Sequence, residues 1–101
     1  MSRRKRYQKQ RVISDQAAEI VKLLLSEPLR WWYPYELMQA TGAARATLYP
    51  LLARLEAQGV LTSRWERTNS EATGPARHFY RVRGKGSRAR RLLAEWESWS
   101  G

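Results

Sequence analysis

Residues 35–66 read YELMQATGAARATLYPLLARLEAQGVLTSRWE, and this stretch decides the fold. Leucines recur in its middle part at the spacing of one apolar face of an α-helix, namely Leu48, Leu51, Leu52 and Leu55. Gly59 follows, and glycine readily adopts the left-handed conformation that commonly ends a helix. The pattern therefore predicts a helix over residues 45–58.

A shorter helix is predicted directly before it, over residues 34–41. Pro34 suits the first turn of a helix, and Gly42 supplies a C-terminal stop. The inward side of this helix is expected to carry Tyr35, Leu37 and Met38. Two short helices joined by a turn that contains glycine are typical of a helix-turn-helix.

The flanking sequence adds a helix on one side and a hairpin on the other. Ser14 is expected to cap a helix that ends at Ser26, and the aromatic run at residues 30–33 predicts one small strand. Two further strands are predicted over residues 60–66 and 77–83, because a polar turn rich in Gly, Pro, Asn and Ser separates them.

The complete pattern predicts an α+β fold, mainly α with a small β-hairpin, arranged as a winged helix-turn-helix. Residues 1–12 are expected to form a flexible basic arm, and residues 13–86 the winged helix-turn-helix domain. Residues 87–101 are expected to form a short C-terminal helix, capped by Ser87, that serves as a dimerisation element.

The charge is strongly positive and unevenly distributed. The 101 residues include 19 Lys and Arg against 9 Asp and Glu, which gives a net charge of +10. Residues 1–11 and 77–91 hold most of the basic side chains and no acidic one. Two basic blocks beside a nearly neutral centre favour a polyanionic partner, and we expect that partner to be double-stranded DNA.

Composition also excludes several classes of function. The chain has one His and no Cys, so the sequence offers no thiol nucleophile and no Cys-based zinc site. We therefore expect no enzymatic activity, no cofactor and no metal. The longest apolar run is far shorter than a membrane span, so we expect no membrane partner and a cytoplasmic, nucleoid-associated protein.

Candidate DNA contacts lie on the second helix, on the hairpin and in the arm. The helix over residues 45–58 presents small residues opposite its leucines, which would let it enter a major groove. An alanine-rich face packed on another helix is the alternative. The candidate DNA-binding residues are Arg3, Arg4, Lys5, Arg6, Arg45, Thr47, Tyr49, Pro50, Arg54, Arg64, Arg67, Arg77 and Arg81. Strand alternation predicts Tyr80 and Val82 toward the core, with Arg77, Phe79 and Arg81 on the opposite face.

Pro50 breaks a local rule, because proline inside a helix removes a backbone hydrogen bond. Here the lost bond would end on the carbonyl of Ala46. Our hypothesis is that the proline bends the first turns and aims residues 45–49 at DNA.

These motifs resemble the PadR-type transcriptional regulators. Residues 47–52 (TLYPLL) are the most specific part, and residues 74–81 (GPARHFYR) resemble the hairpin of that family. The resemblance implies a homodimeric DNA-binding winged helix that usually represses transcription, with Thr47, Tyr49 and the hairpin arginines as DNA contacts. Pro34 stands where the family usually has glycine, and the family's long C-terminal dimerisation region is expected to be missing.

The chain has five tryptophans, a high number for 101 residues. We expect these side chains to lie in the core and in a dimer interface. The candidate interface residues are Ile20, Leu24, Leu92, Leu93, Trp96 and Trp99. The alternative is an aromatic slot at Trp96 for a planar aromatic effector.

Three functions remain open from the sequence. The first is a sequence-specific transcriptional regulator, a repressor that binds a pseudo-palindromic operator as a homodimer. The second is a phage- or plasmid-type DNA-binding protein for excision, partition or DNA architecture, which the small size and the basic arm favour. The third is RNA binding through the arm and hairpin.

Overall fold

The computed structural model describes residues 13–67 and 76–100. The elements in these ranges are α1 (Asp15–Ser26), α2 (Pro34–Thr41), α3 (Arg45–Ala57), β1 (Leu61–Arg67), β2 (Ala76–Val82) and α4 (Ser87–Ser100). This order confirms the mainly α architecture with one antiparallel hairpin. Four of the candidate DNA contacts, Arg3, Arg4, Lys5 and Arg6, lie outside the described residues, and so do the side chains of Arg67 and Trp99.

The helix ends follow the predicted local signals. The Ser14 hydroxyl accepts a hydrogen bond from the Ala17 amide at 3.1 Å, which caps α1. At the start of α2 the Glu36 carboxylate accepts from the Tyr33 amide at 2.8 Å. Gly42 ends α2 with a φ of 77°, in the left-handed region.

Two local predictions are wrong in detail. Residues 30–33 form no strand: Trp32 alone pairs with Tyr80, through two backbone hydrogen bonds of 2.8 and 2.9 Å. The proline that starts α2 two residues later ends the pairing, because it has no amide hydrogen to donate. Ser87 is the first residue of α4 rather than its cap, since the Arg90 amide donates to the carbonyl of Gly86.

Tyr35 also departs from its predicted inward position, since 64% of its surface is exposed. In a helix of eight residues only a narrow stripe reaches the core, and here Pro34 and Leu37 occupy it. Tyr35 projects beside that stripe, and its ring lines a groove between α2, α3 and the hairpin.

The core lies between α1, α3 and one face of the hairpin. Its fully buried members include Ile20, Val21, Leu24, Leu37, Leu48, Leu52, Leu61 and Val82. The register pairs Leu61 with Val82, so both side chains leave the hairpin on its inner face. Tyr80 is 5% exposed on the same face, as the alternation predicts.

α4 packs across α1 at the surface, with Ala89 fully buried and Leu92, Leu93 and Trp96 only partly covered. In the part of the chain that the structure describes, no helix is long and apolar enough to cross a bilayer, and His, Asp and Glu form no group that could hold a metal ion.

Candidate nucleic-acid interface

α3 presents an exposed face of small residues opposite its buried leucines, and polar and basic side chains flank this face. Leu48, Leu52 and Leu55 point into the core. The candidate DNA contacts Arg45, Thr47, Tyr49, Pro50 and Arg54 are all exposed. The Arg45 guanidinium lies 5.1 Å from the centre of the Tyr49 ring, one turn further along the helix. Their contact with DNA stays a prediction, but none of them is needed to cover the core.

Pro50 lies inside α3, and the helix continues through it to Ala57. The side chain is exposed and fills no gap in the core. Proline therefore costs helix stability here without a packing gain.

Replacing Pro50 by alanine is expected to raise the free energy of unfolding by about 1 kcal/mol, because an amide donor to the Ala46 carbonyl returns. The same change should weaken the preference for a selected DNA sequence, since residues 45–49 would take the regular helical direction. Urea denaturation and competition binding measure the two effects separately. Unchanged sequence preference would remove the proposed role of Pro50 in aiming these residues.

A side-chain bond fixes the hairpin against α3. The Ser63 hydroxyl donates to the Glu56 carboxylate at 2.7 Å and so joins β1 to the last turns of α3. The backbone adds to this junction, because the Val60 amide donates to Leu55 and the Arg83 amide donates to Val60. The hairpin therefore keeps a defined position beside the exposed face of α3.

The outer face of the hairpin carries the predicted arginines, and the segment before α2 lies against it. The Arg81 guanidinium donates to the Leu29 carbonyl at 3.2 Å and lies 4.5 Å from the Trp31 ring. The Arg64 guanidinium lies 5.0 Å from the centre of the same Trp31 ring. Arg81 is consequently half-buried, whereas Arg64 is exposed and also pairs with Glu66 at 3.2 Å.

Arg77 is the most available cation of the hairpin among the described side chains that were predicted as contacts. It is exposed, and its guanidinium lies 4.9 Å from the Tyr33 ring. The Tyr33 ring in turn stacks on Phe79 with centroids 4.7 Å apart. Trp31 and Tyr33 thus hold the arginines against flat ring surfaces, a role that was not predicted from the sequence. The aromatic run at residues 31–33 was the available signal.

On the inner face, near the end of the hairpin, aromatic side chains line a groove of about 600 Å³ between α2, α3 and the two strands. Tyr35, Tyr49 and Trp65 are exposed at this groove. His78 also lines it, and burial lowers the pKa of its imidazole, an effect that the Glu56 carboxylate opposes in part. Burial therefore favours the neutral form of the His78 imidazole.

The predicted dimer residues fall into two groups. Ile20 and Leu24 are completely buried in the core of the single chain, so they have no surface to offer a second chain. Helical periodicity identified their apolar face, but the elements that pack against α1, namely β2, α2 and α4, cover it within the single chain. Leu92, Leu93 and Trp96 do lie at the surface of α4. The Trp96 indole donates to Asp15 at 3.2 Å, and the Lys22 ammonium lies 4.7 Å from its ring.

Solved structures of other proteins share the fold described above. A PadR family transcriptional regulator from Eggerthella lenta is 31% identical, with 84% of this chain and 78% of that chain covered and a TM-score of 0.61. A possible transcriptional regulator from Methanosarcina mazei is 18% identical, with 91% and 75% covered and a TM-score of 0.68. S. aureus MepR, in a mutant form bound to an oligodeoxyribonucleotide, is 13% identical, with 91% and 61% covered and a TM-score of 0.67.

No curated protein matches the chain. The profile of the transcriptional regulator PadR-like family matches residues 33–92, which include α2, α3, the hairpin and the start of α4. This range holds every element of the helix-turn-helix and its wing, and the family consists of regulators rather than enzymes. The chain therefore belongs to the PadR-like family and is a winged-helix, DNA-binding transcriptional regulator.

Proposed function

We propose that the protein is a homodimeric repressor that recognises a pseudo-palindromic operator. The observation that carries this proposal is the exposed face of α3, where Arg45, Thr47, Tyr49 and Arg54 are not needed for packing. A helix with such a face, held beside a basic hairpin, suits the major groove and the adjoining backbone.

In this proposal, base readout belongs to α3. An arginine such as Arg45 or Arg54 pairs with guanine O6 and N7, and the Thr47 methyl contacts a thymine methyl. The Tyr49 hydroxyl donates to a phosphate. The two α3 helices of a dimer then occupy successive major grooves, roughly 34–36 Å apart.

Contacts to the DNA backbone come from the hairpin and the arm. Arg64, Arg67 and Arg77 are proposed to bind phosphates, while Arg81 acts mainly through its contact with Trp31. The arm residues Arg3, Arg4, Lys5 and Arg6 add phosphate or minor-groove contacts. Occupation of the operator by the dimer blocks the polymerase, which suffices for repression.

The dimer interface is proposed on the partly covered apolar side chains of α4, Leu92, Leu93 and Trp96, with Trp99 as a further candidate. Ile20 and Leu24 act indirectly, because they support the α1 surface on which α4 packs. Aromatic and leucine side chains on one exposed helix suit a small two-fold interface.

An effector is a further proposal. A planar aromatic molecule at Trp96 would displace Lys22 from the ring and leave the hydrogen bond to Asp15 in place. Such binding would act on the proposed dimer interface, and thereby on the spacing of the two α3 helices. We also propose that the protein acts in the cytoplasm, associated with the nucleoid.

The test of the proposed function is selection from a random pool of duplex DNA with the full chain, followed by sequencing of the bound fraction. An enriched inverted repeat with half-sites one helical turn or a multiple apart is the expected result. Direct repeats with cooperative spreading would instead favour excision, partition or an architectural role. Retention of DNA without any enrichment would contradict base readout by α3.

A further inference from the structure

Exposed aromatic surface is concentrated at one place in this fold. Among the described residues four large hydrophobic side chains are exposed, and three of them, Tyr35, Tyr49 and Trp65, line the groove between α2, α3 and the hairpin. Trp65 is 66% exposed and Tyr35 is 64% exposed. An exposed apolar patch that is rimmed by polar groups usually marks a site of interaction.

The ring of Trp65 is held in position from behind. It stacks on His78 with centroids 4.0 Å apart and an angle of 13° between the planes. His78 Nδ1 forms a hydrogen bond of 3.1 Å with the Tyr80 hydroxyl, and Tyr80 is anchored in the core. Trp65, His78 and Tyr80 therefore form a continuous aromatic column from the core to the wall of the groove.

Cations flank the aromatic walls. Arg45 lies over the Tyr49 ring at 5.1 Å on the α3 side. Arg77 lies over the Tyr33 ring at 4.9 Å on the hairpin side and itself lines the groove. The groove thus combines apolar ring faces with a positively charged rim. A strand of DNA has the complementary pattern, because apolar deoxyribose rings alternate with anionic phosphates along its backbone.

The position of the groove agrees with this ligand. Tyr49 lines it from the exposed face of α3, and Trp65 and His78 line it from the inner face of the hairpin. A duplex that touches both elements must pass one of its backbone strands across the space between them.

We propose that this groove holds one backbone strand of the bound DNA, with deoxyribose rings packed on Trp65 and Tyr49 and phosphates near Arg45 and Arg77. This rests on the proposed function only in placing the duplex across α3 and the hairpin. A ribose in the same position brings a 2′-hydroxyl against the ring faces, where it loses hydration. The groove therefore also favours DNA over RNA.

The experiment measures the affinity of the full chain for a 20-base-pair duplex of mixed sequence, made once as DNA and once as RNA, at one fixed salt concentration. The variants are Trp65→Ala, Trp65→Phe and the control Leu29→Ala. Leu29 is 69% exposed and does not line the groove, so its replacement removes a similar amount of apolar surface elsewhere. Circular dichroism checks that each variant is folded.

We expect the wild-type chain to prefer the DNA duplex. Trp65→Ala should lower its affinity for DNA by about tenfold, equivalent to about 1.4 kcal/mol, and that for RNA by much less. Trp65→Phe should retain most of the affinity, and Leu29→Ala should match the wild type. Equal losses for DNA and RNA, or no loss, would overturn the proposal. Because the duplex has no operator, this result is independent of whether selection finds an inverted repeat.

Discussion

Replacement of Gly86 by alanine is expected to lower the free energy of unfolding by about 3 kcal/mol. Gly86 connects the hairpin to α4 with a φ of 90°, outside the left-handed region that other residues tolerate. An added Cβ would lie 2.6 Å from Leu25 Cδ2 and 3.4 Å from Val82 Cγ2. Backbone strain and overpacking therefore both lower the stability at this one position. Urea denaturation measures their combined effect on the free energy of unfolding.

Gly84 provides a matched control two residues earlier. Its φ of 58° lies in the ordinary left-handed region, and an added Cβ would meet nothing within 4 Å. Gly84→Ala is expected to cost only about 1 kcal/mol, because strain acts without a steric clash. In the background Leu25→Ala, the effect of Gly86→Ala should shrink, since the clashing methyl group is absent. Equal losses at both glycines would contradict the role assigned to Leu25.

A loss of this size matters for a chain of 101 residues. Domains of such length are stable by roughly 5–15 kcal/mol, so Gly86→Ala removes a large fraction of the total. DNA binding by this variant should decline mainly through unfolding near physiological temperature. At low temperature, where the folded state dominates, its affinity for DNA should approach that of the wild type.

Deletion of residues 2–11 is expected to have the largest effect on DNA affinity. The segment holds six basic side chains and no acidic one. Each phosphate contact contributes about 0.9 to the slope of log affinity against log salt concentration. If the four residues Arg3, Arg4, Lys5 and Arg6 each bind a phosphate, the slope should become less steep by about 3–4. The affinity at low salt should fall by about a hundredfold or more.

A full-length variant separates the effect of losing the positive charges from the effect of removing the segment itself. With those four basic residues replaced by glutamine, the salt slope should change as much as in the deletion. Titrations at several salt concentrations, with fluorescently labelled DNA, give the slope directly. A slope equal to that of the wild type would mean that the arm makes no contact with the DNA backbone.

The parts of the fold that follow from local chemistry could be predicted from the sequence. The Ser14 cap, the proline start of α2 and the stop at Gly42 each depend on neighbouring residues, and the structure has them at the predicted positions. The buried leucines of α3 follow from helical spacing in the same way. The ends of both strands shift by one residue, and α3 ends one residue before the predicted position 58.

Features that depend on distant partners could not be predicted. Trp32 pairs with Tyr80, which lies 48 positions further along the chain. The start of α2 at Pro34 prevents the residues after Trp32 from extending this pairing. Periodicity marked Ile20 and Leu24 as apolar, but only the packing of β2, α2 and α4 against α1 decides that they are core rather than interface. The groove at Trp65 requires the register that sets this ring opposite His78.

The bond between Ser63 and Glu56 has a mechanical consequence for the DNA rather than for the protein. This bond fixes the hairpin to α3, so the protein sets the spacing between these two elements. In the proposed complex, a site whose grooves do not match this spacing must itself twist or bend, and the energy of that deformation depends on its base steps. Part of the sequence preference would then reside in base pairs that no side chain touches.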